Sequence, residues 1–516
     1  MSESSEDIER DKVAKQEKVV EEITKLVSTS TIPDLKALHD AISSGETPTA
    51  TILTGGLTNY SYKVAVSDPA VKPIFVKLSF PYALWATDKD NYYDLQRTVN
   101  EFTMMDMFAK IAPGHVAEPF VCHHIPADDL NPYEMLMLVT EWCTSDEQLA
   151  NQWLDGNVDA RIAEQLGTAV AKLHLQPFDP EFNQAVNTTV ADCVWPAAKE
   201  KFTELLSHDD GENNLTPPSS LLCTPCKRFG LLAREFGSEK LFCLVDRLKV
   251  SFESKEVFTH SDLHSFNILV EKKPDAAELA AFGPTGNFML CDWEMASAGP
   301  VGRDFGTFSA FPVLCFLTNA RLGHTAVALD LRSKLHLIVD AYLSALSAEG
   351  KDVEYVNAAY RNIIGFTGYF TMIYCVLRVH YDMLPVEGPE LAKVLDSLGV
   401  ITLKLLKLGF DDSTVGLTKT ELRKRFNALL DIELNELTPQ AGKRRNRRGS
   451  QLRASGTIIS DSGVFTRDTR RVTLFKEKTI KENVTGAIGA ISSAVKKGGV
   501  GVADGVKGLF KGEGEK

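Results

Sequence analysis

The alternation of apolar and polar residues predicts a group of β-strands in the first part of the chain. Residues 51–66 alternate after a double glycine, and residues 71–80 form a second apolar run. Residues 134–143 show an apolar strand pattern that ends in polar residues. Between them, residues 98–108 carry apolar side chains at helical spacing. These patterns predict a small β-rich unit that contains one helix.

Helical patterns dominate the later part of the chain. Residues 160–175 and residues 231–248 have amphipathic helical patterns, and the chain after Asp304 is helical and apolar to about residue 408. The longest uncharged apolar run, residues 363–377, is shorter than the ~20 residues needed to span a bilayer. We therefore expect it to be a buried helix of a globular protein.

The segment from residue 258 to residue 308 carries the polar residues with the clearest chemical meaning. Its pattern predicts a loop, a strand, a turn and a second strand that ends in acidic residues. Asp262 is suited to accept a proton from an incoming hydroxyl group. Asn267 and Asp292 offer the hard oxygen ligands that Mg²⁺ takes beside substrate phosphates. His-x-Asp-x-x-x-x-Asn, starting at His260 and followed by a second aspartate, is the phosphoryl-transfer arrangement of kinases.

Three motifs occur together in this segment: His-Ser-Asp-Leu-His-Ser-Phe-Asn at 260–267, Asp-Trp-Glu at 292–294 and Gly-Pro-Val-Gly-Arg-Asp-Phe-Gly at 299–306. Jointly they resemble the aminoglycoside phosphotransferase and choline kinase-like family of small-molecule kinases. Within that family, the Asp-x-Glu, Gly-Pro and Asp-x-Gly elements look most like those of methylthioribose kinases. The resemblance extends over roughly residues 51–405.

The resemblance implies an α+β, bilobal protein-kinase-like fold. Its small N-lobe is rich in β-structure and has one helix, its larger C-lobe is mainly helical, and a disordered basic tail follows. We expect four segments: an N-terminal helical extension at 1–46, the nucleotide-binding N-lobe at 47–143, the catalytic and acceptor-binding C-lobe at 144–436, and the low-complexity tail at 437–516. The helical pattern within the extension predicts either a helix that docks on the N-lobe or a frayed end.

The same resemblance implies an ATP-dependent kinase that uses Mg²⁺ and phosphorylates a hydroxyl group of a small molecule. It assigns eight residues to nucleotide binding: Gly55, Gly56, Thr58, Asn59, Lys77, Glu101, Glu141 and Cys143. The first four match the family's glycine loop, where backbone N–H groups approach phosphates. Lys77 matches the strand lysine that contacts the phosphates, and Glu101 the helix glutamate that pairs with it. The last two lie at the interlobe hinge, where adenine takes backbone hydrogen bonds. Taken singly, two such glycines more often form a plain hairpin turn, and Lys77 more often is an exposed strand lysine. For Glu101 the alternative is a solvated helix face.

The remaining roles follow the catalytic motif. We expect Asp262 to take the hydroxyl proton or to orient the hydroxyl, and His260 to brace the catalytic loop. Asn267 and Asp292 are the predicted Mg²⁺ ligands, with Glu294 as a further candidate. Asp304 resembles a residue with which the family ties down the catalytic loop, and we expect a structural role for it.

The acceptor remains open between two classes. Arg361 lies where methylthioribose kinases carry an arginine pair, but Asn362 replaces the second arginine, and Asn267 looks more like choline or aminoglycoside kinases. His264 either touches the substrate or packs. The acceptor is thus a methylthioribose-like sugar or a choline- or ethanolamine-like amino alcohol. An ammonium group favours an aromatic cage, and seven aromatic residues are candidates for it, or for ordinary core positions: Trp293, Phe305, Tyr360, Phe366, Tyr369, Phe370 and Tyr374.

Two other classes of function compete with this hypothesis. One is a catalytically silent kinase-fold scaffold tethered through its basic tail, although every expected catalytic position holds a competent residue. The other is a protein kinase. Asp-Trp-Glu at 292–294 replaces the Asp-Phe-Gly of protein kinases, and the chain has no Ala-Pro-Glu motif, which argues against that class.

Composition narrows the partners and the compartment. The 516 residues carry a net charge of −13, with 17 Lys and Arg against 7 Asp and Glu in residues 441–516, so the rest of the chain carries −23. An acidic body argues against nucleic acid as a partner. Nine scattered cysteines and an acidic start without an apolar core predict a cytoplasmic protein with reduced thiols.

The tail carries two further predictions. A basic run at 442–448 precedes Ser450, which makes that serine a candidate for phosphorylation. Residues 481–511 combine lysines with apolar residues near helical spacing, a pattern typical of a peripheral contact with an anionic membrane. Seven glycines between 486 and 508 favour plain disorder instead.

Overall fold

The structure is a computed structural model that describes residues 5–53, 58–82, 94–128, 133–143, 147–177, 179–180, 182, 238–271, 287–377 and 383–438. It has a mixed α+β architecture, with a β-sheet region followed by a helical region. The predicted fold class is confirmed. The predictions for Gly55, Gly56, Ser450 and residues 481–511 lie outside the described residues.

Both regions are built from short strands and longer helices. The first region contains α1 (Ser5–Thr29), α2 (Lys36–Ser43), β1 (Thr49–Leu53), β2 (Tyr60–Ala65), β3 (Ile74–Ser79), α3 (Gln96–Ile111), β4 (Pro119–Ile125) and β5 (Met135–Glu141). The second contains β6 (Glu147–Gln148), α4 (Leu149–Leu154), α5 (Ala160–His174), α6 (Ser238–Phe252), β7 (Val257–Thr259), β8 (Ile268–Val270), β9 (Phe288–Leu290), β10 (Ser297–Gly299), α7 (Arg303–Arg321), α8 (Thr325–Ala348), α9 (Val353–Leu377), α10 (Gly388–Phe410) and α11 (Lys419–Leu437).

The first region is organised by an antiparallel five-stranded sheet in the order β1-β2-β3-β5-β4. Successive side chains of a strand point to opposite faces. On β3, Val76 and Leu78 are fully buried on one face, so Lys77 between them points to the other face. Lys77 pairs with Leu138 of β5, which belongs to the core shared with the helical region. The strand alternation therefore directs this lysine towards the rest of the molecule.

Helix α1 covers the opposite face of the sheet. Val19, Ile23 and Val27 are fully buried, and they join the cluster that contains Tyr62 and Val64 of β2. These three residues recur at the spacing of one helix face. Of the two predictions for the N-terminal extension, the docked helix is the one that the structure shows.

The helical region packs around α7, in which every residue from 303 to 320 is buried. The backbones of α9 and α10 approach each other closely at Gly365 and Gly409. A side chain at Gly409 would overlap the backbone of Gly365, so this approach requires glycine. The last helix, α11, begins with a capping box between Thr418 and Glu421. Within the described residues, no helix has both the length and the apolar character that crossing a bilayer requires.

Two small antiparallel sheets hold the segment that carries the catalytic motif. Strand β7 pairs with β10, and β8 lies between β6 and β9. Because Ile268 pairs with Leu290, the residues just outside both strands are neighbours, and the backbone N–H of Cys291 donates to Asn267 O at 3.0 Å.

Two sequence predictions for the five-stranded sheet needed adjustment: residues 51–66 hold two strands instead of one, and β4 was not predicted.

Candidate active site

A buried lysine joins acidic residues from both regions. Lys77 is 6% exposed, and its Nζ lies 3.0 Å from Glu101 Oε2 and 2.7 Å from Asp292 Oδ1. Glu294 Oε2 lies 3.5 Å from the same nitrogen. Strand β3 supplies the lysine, α3 supplies Glu101, and the turn after β9 supplies the other two carboxylates. The structure thus brings together the lysine and glutamate that the resemblance pairs.

The turn that carries Asp292 has an unusual backbone. Asp292 has φ of 62° and ψ of 61°, in the left-handed region that residues other than glycine seldom adopt. The next backbone N–H, of Trp293, donates to Glu101 Oε1 at 3.2 Å. Glu101 therefore contacts both Lys77 and the backbone of this turn. Strained backbone of this kind concentrates at functional sites, where surrounding contacts hold it.

Charge is unevenly balanced in this cluster. Lys77 and Arg97 face Glu101, Asp292 and Glu294, which leaves one net negative charge when all three carboxylates are ionised. Burial raises the pKa of Glu101 to about 7, with Lys77 opposing and the other carboxylates adding to the shift. Burial alone would lower the pKa of Lys77, but Asp292, Glu101 and Glu294 raise it well above its usual value. Because the raised pKa leaves Glu101 only partly ionised at neutral pH, the excess of negative charge is smaller than the formal count.

Asp304 holds the start of the catalytic loop. Its Oδ2 accepts the backbone N–H of His260 at 2.9 Å, and its Oδ1 accepts that of Ser261 at 2.9 Å. His174, on α5, contacts Asp304 Oδ2 through Nε2 at 3.0 Å. Ser261 has φ of 69°, so the backbone turns sharply just before Asp262. The contacts of Asp304 are those of a residue that fixes this turn.

Asp262 lies at the surface of the loop with a partly exposed side chain. Asn267 Nδ2 donates to its backbone oxygen at 3.0 Å and to its Oδ2 at 3.2 Å. His264 Nε2 lies 3.5 Å from Asp262 Oδ2. Burial alone would raise the pKa of Asp262, but His264, His260 and Arg303 lower it to about 2. The carboxylate is therefore ionised at neutral pH and oriented by Asn267.

The two histidines of the motif differ in their contacts. His260 is fully buried, and its Nε2 lies 3.0 Å from Cys291 O, so this nitrogen carries the donated proton. That contact links the catalytic loop to the residue before Asp292, as a bracing role requires. His264 is a quarter exposed; burial would lower its pKa, but Asp262 raises it above its usual value.

Asn267 and Asp292 are the best placed oxygen donors for a metal ion. They sit at the adjoining ends of β8 and β9, and the Asp292 side chain is 41% exposed. Among the residues that the structure describes, no group of three or more His, Cys, Asp and Glu side chains could hold a metal. Mg²⁺ often keeps several waters and binds one or two protein oxygens together with substrate phosphates. An asparagine and an aspartate fit that requirement.

Glu294 is engaged elsewhere. It is 4% exposed, its Oε1 accepts from Thr58 Oγ1 at 2.7 Å, and its Oε2 accepts from Asn59 Nδ2 at 2.6 Å. Arg97 Nε lies 3.5 Å from the same Oε2. These contacts do not favour the predicted role of Glu294 as a metal ligand. They also occupy the side chains of Thr58 and Asn59, which were predicted to contact the nucleotide.

The predicted hinge residues lie at the end of β5. The backbone N–H of Glu141 donates to Glu118 O at 2.9 Å, so it is already used within the protein. Cys143 Sγ lies 2.8 Å from Met289 Sδ on β9. The structure thus places Cys143 beside the strand that leads to Asp292.

Arg361 is half-buried on α9. Burial lowers the pKa of Arg361, and Asp412, in the turn after α10, opposes the shift. The structure brings the other described candidates close to Lys77, Asp262 or the hinge, whereas the carboxylate that influences Arg361 is Asp412. This position gives no support to a contact with the acceptor.

Two arginines near the site were not predicted. Arg97 is 1% exposed, and its Nη2 donates to Asn59 Oδ1 at 3.0 Å and to Phe80 O at 2.9 Å. Its position one helical turn before Glu101 was the available signal, because such residues share a helix face. Arg303 is 3% exposed, and burial lowers its pKa to about 10 although Asp304 opposes the shift.

Comparison with known proteins identifies the family. Residues 49–324, more than half of the chain, match the model of the APH phosphotransferase enzyme family. The chain belongs to this phosphotransferase family. It is accordingly a small-molecule phosphotransferase that acts on a hydroxyl group. The predicted resemblance is confirmed at the level of the family, while the likeness to methylthioribose kinases stays a prediction.

Solved structures of kinases show weak similarity to this phosphotransferase. An amicoumacin kinase in complex with AMP-PNP and Ca²⁺ is 12% identical with a TM-score of 0.33, covering 76% of this chain and 90% of its own. A glucosamine kinase is 11% identical with a TM-score of 0.33, covering 80% and 86%. A type I macrolide 2′-phosphotransferase is 12% identical with a TM-score of 0.27, covering 78% and 98%. No curated protein matches the chain.

The aromatic residues considered for an ammonium cage are mostly core residues of the phosphotransferase. Trp293, Phe305 and Phe366 are fully buried, and Tyr360 and Tyr369 are each 2% exposed. Trp293 packs on Phe108 with ring centroids 4.9 Å apart. These residues serve the interior, so they give no specific support to an amino-alcohol acceptor.

Proposed function

We propose that this phosphotransferase transfers the γ-phosphoryl group of ATP to a hydroxyl group of a small metabolite and uses Mg²⁺. The observation that carries the proposal is the contact of Lys77 with both Glu101 and Asp292, beside the strand pair that ends at Asn267. In kinases such a lysine binds phosphates and such an aspartate and asparagine bind the metal ions. The proposed division places nucleotide binding in residues 47–143 and acceptor binding in residues 144–436.

The role proposed for Asp262 follows from its ionisation. A carboxylate with a pKa of about 2 is a weak base, and the most efficient general base has a pKa near the working pH. Asp262 therefore orients the acceptor hydroxyl and takes its proton late, as bonding to the phosphoryl group develops. Asn267 holds the carboxylate in place, and Asp304 holds the turn before it.

Mg²⁺ bound to Asn267 and Asp292 would neutralise phosphate charge. The net negative charge around Lys77 and the adjoining positions of the two oxygen donors support this assignment. Lys77 would release part of its contact with the carboxylates to bind phosphate, and Glu101 would keep it in position. Cys143 and the residues beside it would border the adenine.

For the acceptor we propose a neutral, hydroxylated, methylthioribose-like sugar first and a choline- or ethanolamine-like amino alcohol second. The burial of Trp293, Phe305 and Phe366 takes these three aromatic candidates away from an ammonium cage and weakens the case for the second class. The methylthioribose kinase-like spacing of the motifs at 292–306 supports the first class. Phosphorylation of Ser450, membrane contact through residues 481–511 and a cytoplasmic location remain predictions from the sequence.

The deciding experiment is ATP turnover by the purified chain with Mg²⁺ against methylthioribose, choline, ethanolamine, homoserine and aminoglycosides. Asp262→Asn is the inactive reference, and we expect its turnover to fall by ~10²–10⁴-fold while ATP binding is retained. Asp34→Asn, the same change at an exposed position, is the matched control and keeps full turnover.

Acceptor-dependent turnover that disappears in Asp262→Asn supports the proposal and names the acceptor. Normal turnover in Asp262→Asn refutes the assignment of the catalytic residue. If the wild-type chain binds no ATP with Mg²⁺, the proposed reaction is wrong, and the silent scaffold becomes the better hypothesis.

A further inference from the structure

A second buried network lies beside the Lys77 ion pairs. Glu294 accepts hydrogen bonds from Thr58 Oγ1 and Asn59 Nδ2, at 2.7 and 2.6 Å. Arg97 Nε lies 3.5 Å from Glu294 Oε2, and Arg97 Nη2 donates to Asn59 Oδ1 at 3.0 Å. Glu294, Asn59 and Arg97 therefore form a closed ring of contacts, and all three are at least nine-tenths buried.

Each member of this ring belongs to a different part of the proposed nucleotide site. Asn59 directly precedes β2, Arg97 lies one helical turn before Glu101 on α3, and Glu294 lies two residues after Asp292. Residues one turn apart share a helix face, so Arg97 and Glu101 both point towards the turn after β9. The ring thus connects the start of β2, α3 and the turn that carries the proposed metal aspartate.

A cation at Glu294 would compete with these partners and with Lys77, whose Nζ lies 3.5 Å from Glu294 Oε2. A buried charge is stable when it is paired and hydrogen-bonded, and removing one partner of such a pair is costly. Glu294 already has a hydroxyl donor, an amide donor and a guanidinium against its oxygens. Asp292, in contrast, has a side chain that is 41% exposed. The two acidic residues of the motif therefore have different surroundings.

We propose that Glu294 and Arg97 form a positioning pair, and that Glu294 does not bind the metal ion. The pair anchors Asn59 to the turn that carries Asp292, so that the start of β2 and the metal aspartate keep a fixed relative position. The inference rests on the proposed function, since it concerns where the nucleotide and its metal ion bind.

The test is a double-mutant cycle in the full-length chain, read by AMP-PNP binding while Mg²⁺ is titrated. The variants are Glu294→Gln, Arg97→Met and their combination, and Asp292→Asn is the reference for a lost metal ligand. We expect each single variant to weaken AMP-PNP binding by about tenfold or more, because it leaves a buried partner unpaired. In a chain that already carries one of the two substitutions, the other should weaken AMP-PNP binding by less than about a further threefold.

The Mg²⁺ requirement separates positioning from ligation. For Glu294→Gln, the half-saturating Mg²⁺ concentration should stay within about threefold of the wild-type value, whereas Asp292→Asn should raise it by about tenfold or more. If Glu294→Gln raises the half-saturating Mg²⁺ concentration as far as Asp292→Asn does, both in the wild-type chain and together with Arg97→Met, then Glu294 is a ligand and the proposal is overturned. The proposal is also overturned if the losses of AMP-PNP binding in Glu294→Gln and Arg97→Met add fully in the double variant. A wild-type chain that binds no AMP-PNP refutes the proposed function itself.

A milder variant keeps the test decisive if the buried substitutions do not fold. Thr58→Val removes the hydrogen bond to Glu294 and the one that Thr58 Oγ1 accepts from Asn59 Nδ2, from a side chain that is only half-buried. We expect about fivefold weaker AMP-PNP binding with an unchanged Mg²⁺ requirement. Thr103→Val is the matched control, because Thr103 is exposed and its hydroxyl donates to Val99 O within its own helix. AMP-PNP binding by Thr58→Val that equals that of Thr103→Val overturns the proposal.

Discussion

Replacing Asp304 with asparagine tests the hydrogen bonds that hold the catalytic loop. The carboxylate accepts from the N–H groups of His260 and Ser261, both at 2.9 Å, and contacts His174 Nε2 at 3.0 Å. Asparagine keeps one oxygen and places an NH₂ group where the other oxygen was. At least one buried N–H group then faces another donor.

The size of the effect follows from these contacts. A hydrogen bond to a charged group contributes about 1.5–3 kcal/mol, and a buried donor left unpaired costs about 1–3 kcal/mol. We therefore expect Asp304→Asn to lower the free energy of unfolding by about 3 kcal/mol. Because Ser261 directly precedes Asp262, kcat should fall by ~10²-fold. The KM for ATP should change by less than about threefold, since the contacts of Lys77 are not touched.

The pH dependence provides an independent check. Burial alone would raise the pKa of Asp304, but His174 and His260 lower it below its usual value. A carboxyl group with a lowered pKa stabilises the fold above its unfolded-state pKa of about 3.9, and this stability is lost as the pH falls through the folded-state pKa. The difference in stability between wild type and Asp304→Asn should therefore shrink below about pH 4.

Urea unfolding followed by tryptophan fluorescence, together with steady-state kinetics on the identified acceptor, measures both effects. Asp34→Asn serves as the control, because Asp34 is exposed. The reasoning is refuted if Asp304→Asn unfolds within about 0.5 kcal/mol of wild type and turns over normally, since that outcome is typical of a surface substitution.

Three further predictions concern the ion cluster, the metal and α1. Lys77→Met leaves three carboxylates without their lysine. AMP-PNP binding, measured by calorimetry, should weaken at least about tenfold, and the free energy of unfolding in urea should fall by about 3–5 kcal/mol. Binding as tight as in the wild type would contradict the assignment of Lys77. EDTA should abolish turnover until Mg²⁺ is restored and leave the urea midpoint unchanged, because most ligands of the proposed metal are phosphates and waters; turnover that persists in EDTA would exclude the metal. Ile23→Ala should lower the free energy of unfolding by about 2–5 kcal/mol, because Ile23 is fully buried against the sheet. Val353→Ala, at a residue that is 72% exposed, should change it by less than about 0.5 kcal/mol. Equal effects of the two substitutions would show that α1 is not packed on the sheet.

The chemistry of the segment at 260–267 could be predicted from the sequence because its signal is local. His260, Asp262 and Asn267 lie within eight residues, and their roles depend on residue type and spacing in one loop. The hydrogen bond from Asn267 to Asp262 closes within that loop. The apolar periodicity likewise predicted β3, α3 and β5, since periods of two and 3.6 residues follow from backbone geometry.

The partners of Glu294 were beyond the reach of local reasoning. Asn59 lies 235 residues earlier in the chain, and the hydrogen bond between them exists only because β2 and the turn after β9 pack together. From the sequence, Glu294 was a candidate metal ligand, and Arg97, directly before the predicted helix at 98–108, was not singled out. Burial, which a sequence does not display, distinguishes Glu294 from Asp292.

The sequence by itself determined the fold class and the family, and it predicted the reacting segment, because these depend on periodicity and on a motif of fixed spacing. The tertiary structure decided which face of the sheet α1 covers, that Lys77 contacts Asp292 as well as Glu101, and that Asp304 bonds to the catalytic loop. These contacts join residues far apart in the chain. They form only when whole elements pack, and packing selects one arrangement among many that the local patterns allow.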